Sequence, residues 1–226
     1  MGQPIQRIPR PHGGDAAGRS TDRARLLERI AVGLAHEGKN PLHNMVLHLQ
    51  LLAEKLASPG RQGGSPIEKH LGAMRDGIGR VDDLLRAFGE FAAPNYLPPD
   101  LAAAVRRAIQ LFAYEVRRAT VKVSQRGPAT LIVESTSAVL GDLVAHAYLA
   151  CLELARDGGT VDVSVEPRGG SVVLDLRASG GLGNREQAQP HLDALRTLAP
   201  GAACDLSVET PAAGGARLSL SFLHPR

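Results

Sequence analysis

Aromatic residues are scarce in this chain of 226 residues: Phe, Tyr and Trp together make up 3%, with no Trp at all. Its cores must therefore be built from Leu, Val, Ile and Ala, a composition that suits helical bundles. Cysteine is almost missing as well. Cys151 and Cys204 have neither metal-ligand spacing nor the density of a secreted disulfide scaffold, so a reducing cytoplasm is the default and no metal site is expected. No apolar run approaches the roughly 20 residues that span a bilayer, and no membrane role is expected. The segment 1–20, with Arg7, Arg10, Pro4, Pro9, Pro11 and Gly13-Gly14, lacks the apolar core of a signal peptide and reads as a disordered basic tail. A net charge of +3, with the basic residues scattered among acids, gives no stripe for nucleic acid. What the chain does have is 43% hydrophobic residues, enough to bury one large core or two small ones.

From about Asp22 to Ala57 the residues Leu27, Ala31, Leu34, Gly38, Pro41, Met45, His48 and Leu52 recur at steps of three and four, which predicts a helix with a heptad stripe. Thr21 is the expected N-cap, and Ser58-Pro59-Gly60 through Gly63-Gly64 the expected stop. A second helix opens at Ser65-Pro66 and runs to about Ala93, with Pro94 as its end. Its stripe is Ile67, Leu71, Met74, Ile78, Val81, Leu85 and Phe88. The two form an antiparallel hairpin over 21–94 that leaves apolar surface uncovered, so a homodimer closing a four-helix bundle is expected. The competing arrangement is a monomer whose hairpin folds back on the second half of the chain.

The segment Ala35-His36-Glu37-Gly38-Lys39-Asn40-Pro41-Leu42 puts a histidine beside a carboxylate inside the first helix. At 100° per residue His36 lies about 200° from both Leu34 and Gly38, opposite the apolar stripe and facing water. Lys39, Asn40 and His43 follow at i+3, i+4 and i+7 on the same polar face. Glu37 is expected to reach one ring nitrogen and leave the other as a nucleophile. Pro41 clashes with the carbonyl of Glu37 and should bend the helix just past the histidine. His48, on the apolar stripe, reads as a hydrogen-bonded bundle histidine.

His-Glu-x-Lys-Asn-Pro-Leu in a helical hairpin resembles the phosphoacceptor motif of the two-component histidine kinases, whose usual form has Ile or Leu where Gly38 stands. The resemblance implies that His36 is the phosphorylated residue, Glu37 its acid/base neighbour and Asn40 a group that orients phosphate or water, with Lys39 and His43 as auxiliaries.

Beyond Pro98-Pro99 the patterning predicts a helix from about 100 to 119, strands at 121–123 and 130–133, and a helix from about 137 to 155. Strands at 160–165 and 172–176, a helix near 191–198, and strands at 205–209 and 217–222 follow. The order is that of an α+β sandwich, a mixed sheet covered by helices on one face. Over roughly 97–226 it resembles the catalytic ATPase domain of the same family, and there the chemistry departs. In the family a helix Asn coordinates the Mg²⁺ that bridges the nucleotide phosphates, and here Ala150 stands at that position. An Asp in a Gly-rich turn reads adenine, and here Ala178 precedes Gly180-Gly181 and Gly183, with Asp175 placed mid-strand. Only 184–190 remain where the family has a lid.

These departures imply a degenerate domain that binds no cofactor. The expected function is histidine phosphotransfer in a phosphorelay: His36 exchanges a phosphoryl group with the aspartates of response-regulator receiver domains, which supply the Mg²⁺. An autokinase with an unorthodox ATP site is one alternative. A pseudokinase scaffold or regulator, partnered by a true histidine kinase, is the other.

Overall fold

The computed structural model describes residues 16–57, 64–93, 98–181, 183–209 and 215–223. The tail as far as residue 15, the turns at 58–63 and 210–214, and the Pro94 stop lie outside the described residues. Helix α1 (Ala16–Ala57) and helix α2 (Gly64–Ala92) form the hairpin. Helix α1 begins before Thr21, which is therefore an internal residue and not the cap, and it takes up 16–20 of the segment expected to be tail. It runs unbroken through Pro41, whose ring is buried. Gly77 lets α2 approach closely there, since a Cβ at that position would meet Met45 Cγ at 2.6 Å and the Pro41 carbonyl at 3.5 Å. Higher in the hairpin His48 and His70 join through their Nδ1 atoms at 3.0 Å, a bundle histidine pair.

The second half is the expected α+β sandwich. Helices α3 (Leu101–Leu111) and α4 (Ala113–Arg118) replace the single helix expected over 100–119, because the backbone leaves helical geometry at the buried Phe112. Asp100 caps α3 by accepting from the Ala103 N–H at 3.2 Å. Then come β1 (Lys122–Arg126), α5 (Ser137–Leu154), β2 (Thr160–Arg168), β3 (Ser171–Ser179), α6 (Arg185–Leu198), a 3-10 turn (Ala199–Ala202), β4 (Cys204–Glu209) and β5 (Ala216–Leu223). The sheet order is β1-β2-β3-β5-β4, with β1 parallel to β2 and the other pairs antiparallel. The strand expected at 130–133 is not in the sheet. Its backbone pairs instead with the start of α3: Leu131 N–H donates to Asp100 Oδ1 at 2.9 Å, and Val133 N–H to the Pro99 carbonyl at 3.0 Å.

Helix α5 is apolar on every side and buried on every side from Leu143 to Glu153. That is the expected fate of such a helix. It packs on β3 and β5 below, with α3 and α6 beside it. Among the described helices α5 is the one long and apolar enough to cross a membrane, and 67% of it is buried inside the fold.

Candidate functional site

The N-terminal half of α1 does not stay with the hairpin alone. Leu26, Ile30 and Gly33, spaced i, i+4, i+7, are buried against the second domain. A Cβ on Gly33 would lie 3.5 Å from the Leu111 carbonyl and 3.6 Å from Tyr114 Cβ, so the backbone of α1 rides close over the α3–α4 junction. Polar contacts flank this stripe. Arg23 pairs with Asp142 of α5 and donates to the Phe91 carbonyl at 3.0 Å. Arg29 donates to Glu115 at 3.1 Å and to Glu153 at 2.8 Å, both carboxylates being buried. Leu26 and Ile30 stand off the heptad stripe by one residue and were missed for that reason.

The stripe ends at the His36–Leu42 motif. His36 is exposed, as its angle on the helix requires, and Lys39, Asn40 and His43 are exposed with it. Its imidazole is not free to turn, because the ring of Tyr114 lies flat against it, centroids 4.4 Å apart and planes 2° from parallel. Glu37 is half-buried and forms an ion pair with Arg117, one turn along α4 from Tyr114. The structure thus gives the Glu37 carboxylate to a guanidinium and leaves the orienting contact on His36 to an aromatic ring. Gly38 has open space where a side chain would be, with nothing within 4 Å of a Cβ. Tyr114 and Arg117 carry no sequence motif. The one available signal was a tyrosine, of which the chain has three, on a helix otherwise rich in charge.

Deeper between α1, α5 and α6 a chain of nitrogen atoms runs from Arg29 inward. Its Nη1 lies 3.3 Å from His191 Nε2, and His191 Nδ1 lies 3.0 Å from His146 Nδ1. A guanidinium can only donate, so His191 Nε2 accepts, His191 Nδ1 carries the proton and His146 Nδ1 accepts it. Burial pushes both imidazoles below the ordinary histidine value, to about 4 for His146. Beside this chain a cleft of about 660 Å³ is lined by Arg29, Arg118, Glu153, Asn184, Gln187 and His191.

Ala150, Asp175 and Ala178, the positions compared in sequence with a nucleotide site, all lie inside regular elements. Ala150 is fully buried in α5. Ala178 belongs to β3, which runs on to Ser179, and pairs with Val161 and Ala216 instead of standing in a turn. Asp175 is mid-strand as expected, buried among Arg217 at 2.8 Å, Arg168 at 3.3 Å and Ser219. Burial pushes its carboxyl up, but the hydrogen bonds from Arg217 and Ser219 outweigh that and hold it below the usual range. The glycine turn closes onto the end of α5: a Cβ on Gly181 would fall on the carbonyls of Ala155 and Arg156, and one on Gly183 on that of Leu154. Residues 185–190, expected as a lid remnant, are the first half of α6, and Asn184 caps that helix by accepting from the Gln187 N–H at 3.0 Å.

No family model matches the chain. The sensor protein CopS of Pseudomonas syringae pv. tomato is 21% identical over 185 residues, which cover 79% of this chain and 36% of that protein. The chain is similar to part of a sensor protein. It spans about a third of the curated relative's length, 36%. Among solved structures, the histidine kinase AdeS of Acinetobacter baumannii is 11% identical, matched over 84% of this chain and 98% of its own, with a TM-score of 0.47. The catalytic domain of the histidine kinase ThkA is 14% identical over 55% of this chain and 94% of its own, TM-score 0.47. A bacterial phosphotransferase is 16% identical over 93% of this chain and 98% of its own, TM-score 0.45.

Proposed function

We propose that this protein is a histidine phosphotransferase of a two-component phosphorelay, with His36 as the residue that carries the phosphoryl group. The observation that carries the reading is His36 itself, exposed on α1, ringed by Lys39, Asn40 and His43, and held flat against Tyr114. A phosphoryl group arrives from an aspartyl phosphate of a receiver domain docked on this face. The lone pair of one imidazole nitrogen forms the N–P bond, the aspartate keeps the electrons of the broken P–O bond and leaves as carboxylate, and the N–H proton on the opposite ring nitrogen passes to water. Transfer onward to a second receiver reverses these steps. The receiver supplies Mg²⁺ and its acidic pocket. A positioned nucleophile is what this chain must provide.

The second domain supports a source of phosphate outside the chain. Phosphates settle on backbone N–H groups at helix N-termini. The glycine turn here instead packs on the carbonyl end of α5, where the helix dipole is negative. The outer side of α5 is taken by α6 and α1. Two copies of the hairpin close a four-helix bundle in this reading, and the two buried free thiols suit the cytoplasm. Incubation with a phosphorylated receiver domain should give acid-labile phosphohistidine on the wild-type chain and none on His36→Ala. Label that persists in His36→Ala sinks the assignment, and label from ATP with no receiver present would make the protein an autokinase.

A further inference from the structure

The second domain supplies Tyr114, the ring stacked on His36. We infer that Tyr114 is a positioning residue for phosphotransfer, and that the second domain serves the reaction by carrying α4 to His36. The inference rests on the phosphotransfer reading of His36.

The geometry distinguishes this from an ordinary surface contact. A helical His on an exposed face samples two common χ1 rotamers and two broad χ2 orientations, about four arrangements in all. A ring stacked at 4.4 Å and 2° from parallel selects one of them. Stacking blocks a face of the imidazole and leaves the ring edge open. The two nitrogen lone pairs lie in the ring plane, so the attacking direction stays free while the rotation that would spoil it is prevented. Half-buried Tyr114 is itself held in place: α1 passes so close at Gly33 that a Cβ there would lie 3.6 Å from the Tyr114 Cβ, and Phe112 and Glu115 on either side are buried. Arg117, on the same side of α4, draws the half-buried Glu37 carboxylate into an ion pair, so that no carboxylate needs to hold the ring. The stacking surface is aromatic and needs no hydroxyl, so Phe should replace Tyr and an aliphatic side chain should not.

Single-turnover transfer from a phosphorylated receiver domain to the wild-type chain, Tyr114→Phe and Tyr114→Leu tests this, with receiver affinity and melting temperature measured for each. Tyr114→Leu should transfer about fourfold more slowly, in line with about four freed orientations, at unchanged receiver affinity, and Tyr114→Phe should match the wild type. In ¹H–¹³C spectra the His36 ring protons should be shifted upfield in the wild type and Tyr114→Phe, and should move downfield in Tyr114→Leu. Equal transfer rates in all three chains overturn the positioning role alone. A slow rate in Tyr114→Leu that comes with weakened receiver binding, or with an equally slow Tyr114→Phe, overturns it too. A wild-type chain that takes no label overturns the phosphotransfer reading and this role with it.

Discussion

His146 and His191 hold an unusual amount of the molecule's sensitivity to acid in two side chains. Both rings are kept neutral by burial, and their shared Nδ1 proton leaves no acceptor for a second one. Their folded pKa values lie below the unfolded value of about 6.5. Between about pH 6.5 and 4 the unfolded chain therefore takes up protons that the folded chain refuses, and each ring costs about 1.4 kcal/mol of stability per pH unit of acidification. Asp142 acts in the opposite sense. Burial, resisted by Arg23, raises its carboxyl from 3.8 to about 6, so the folded chain takes that proton first and gains stability as pH falls through this range. The three together leave a net loss of about one ring, roughly 1.4 kcal/mol per unit between pH 6 and 4.5. Asp142→Asn removes the opposing group and should raise the slope to about 2.7 kcal/mol per unit. Urea unfolding at pH 7, 6, 5 and 4.5 measures it, and parallel stability curves for wild type and Asp142→Asn would show the assignment of these protons to be wrong.

At the scale of elements, α1 shows what a periodic pattern contains and what it leaves out. The steps of three and four between Leu27 and Leu52 announce a helix, and a helix is what forms. The pattern does not say which neighbour each stripe meets, because α1 has three: the second domain along Arg23, Leu26, Ile30, Gly33 and Glu37, then α2 along Pro41, Met45 and His48, and open space along Leu42, Val46, Leu49 and Leu56. Leu26 and Ile30 are spaced as helical core residues, but only the folded second domain makes them one. The segment 130–133 misled for a similar reason: β-branched and apolar residues are common to strands and to any buried extended chain. The histidine motif at 35–42 could be singled out because its residues are consecutive. Tyr114, Arg117 and Arg29 were not, since their meaning arises from contacts across 78 or more positions for Tyr114 with His36, and 86 for Arg29 with Glu115. Arg29 gives this docking its sharpest test. Arg29→Met leaves Glu115 with Arg118 at 2.8 Å and Glu153 with Arg156 at 3.1 Å, but removes the cation they share. The loss should be about 3 kcal/mol, the low end for breaking a buried charge cluster, because those two pairs remain. Amides of 23–37 should exchange faster while those of 45–55 keep their protection. Uniform exchange along α1 would mean that Arg29 does not fasten this half of the helix.

For the whole molecule, one of the two arrangements anticipated for the hairpin, the fold-back on the second domain, occurs in one of its halves. Its lower part folds back on the second domain, while its upper part leaves a continuous apolar face uncovered. Leu71, Ile78 and Leu85 repeat every seven residues on α2, and Ile78 is 59% exposed. Leu42, Leu49 and Leu56 repeat at the same interval on α1, with Leu56 at 69%. The Gly77 contact with Met45 sets the two series side by side at the same height of the hairpin. Heptad repeats on adjacent antiparallel helices form a surface that suits its own copy, since a two-fold axis lays each series against its partner. His36 stays outside such an interface because it points to the α4 side of α1. Replacing Ile78 and Leu85 with Glu puts four carboxylates into the face of a symmetric pair and none into the core of the single chain. Sedimentation of the wild-type protein at about 10 μM, below the usual range of weak self-association, should give a dimer, and the double variant a monomer with its second domain still folded. If His36 takes phosphate from a receiver equally well in the monomer, the stack on Tyr114, which lies within one chain, is sufficient to prepare it. If transfer disappears while the His36 ring protons keep their upfield shift, the receiver must read a surface made by both copies.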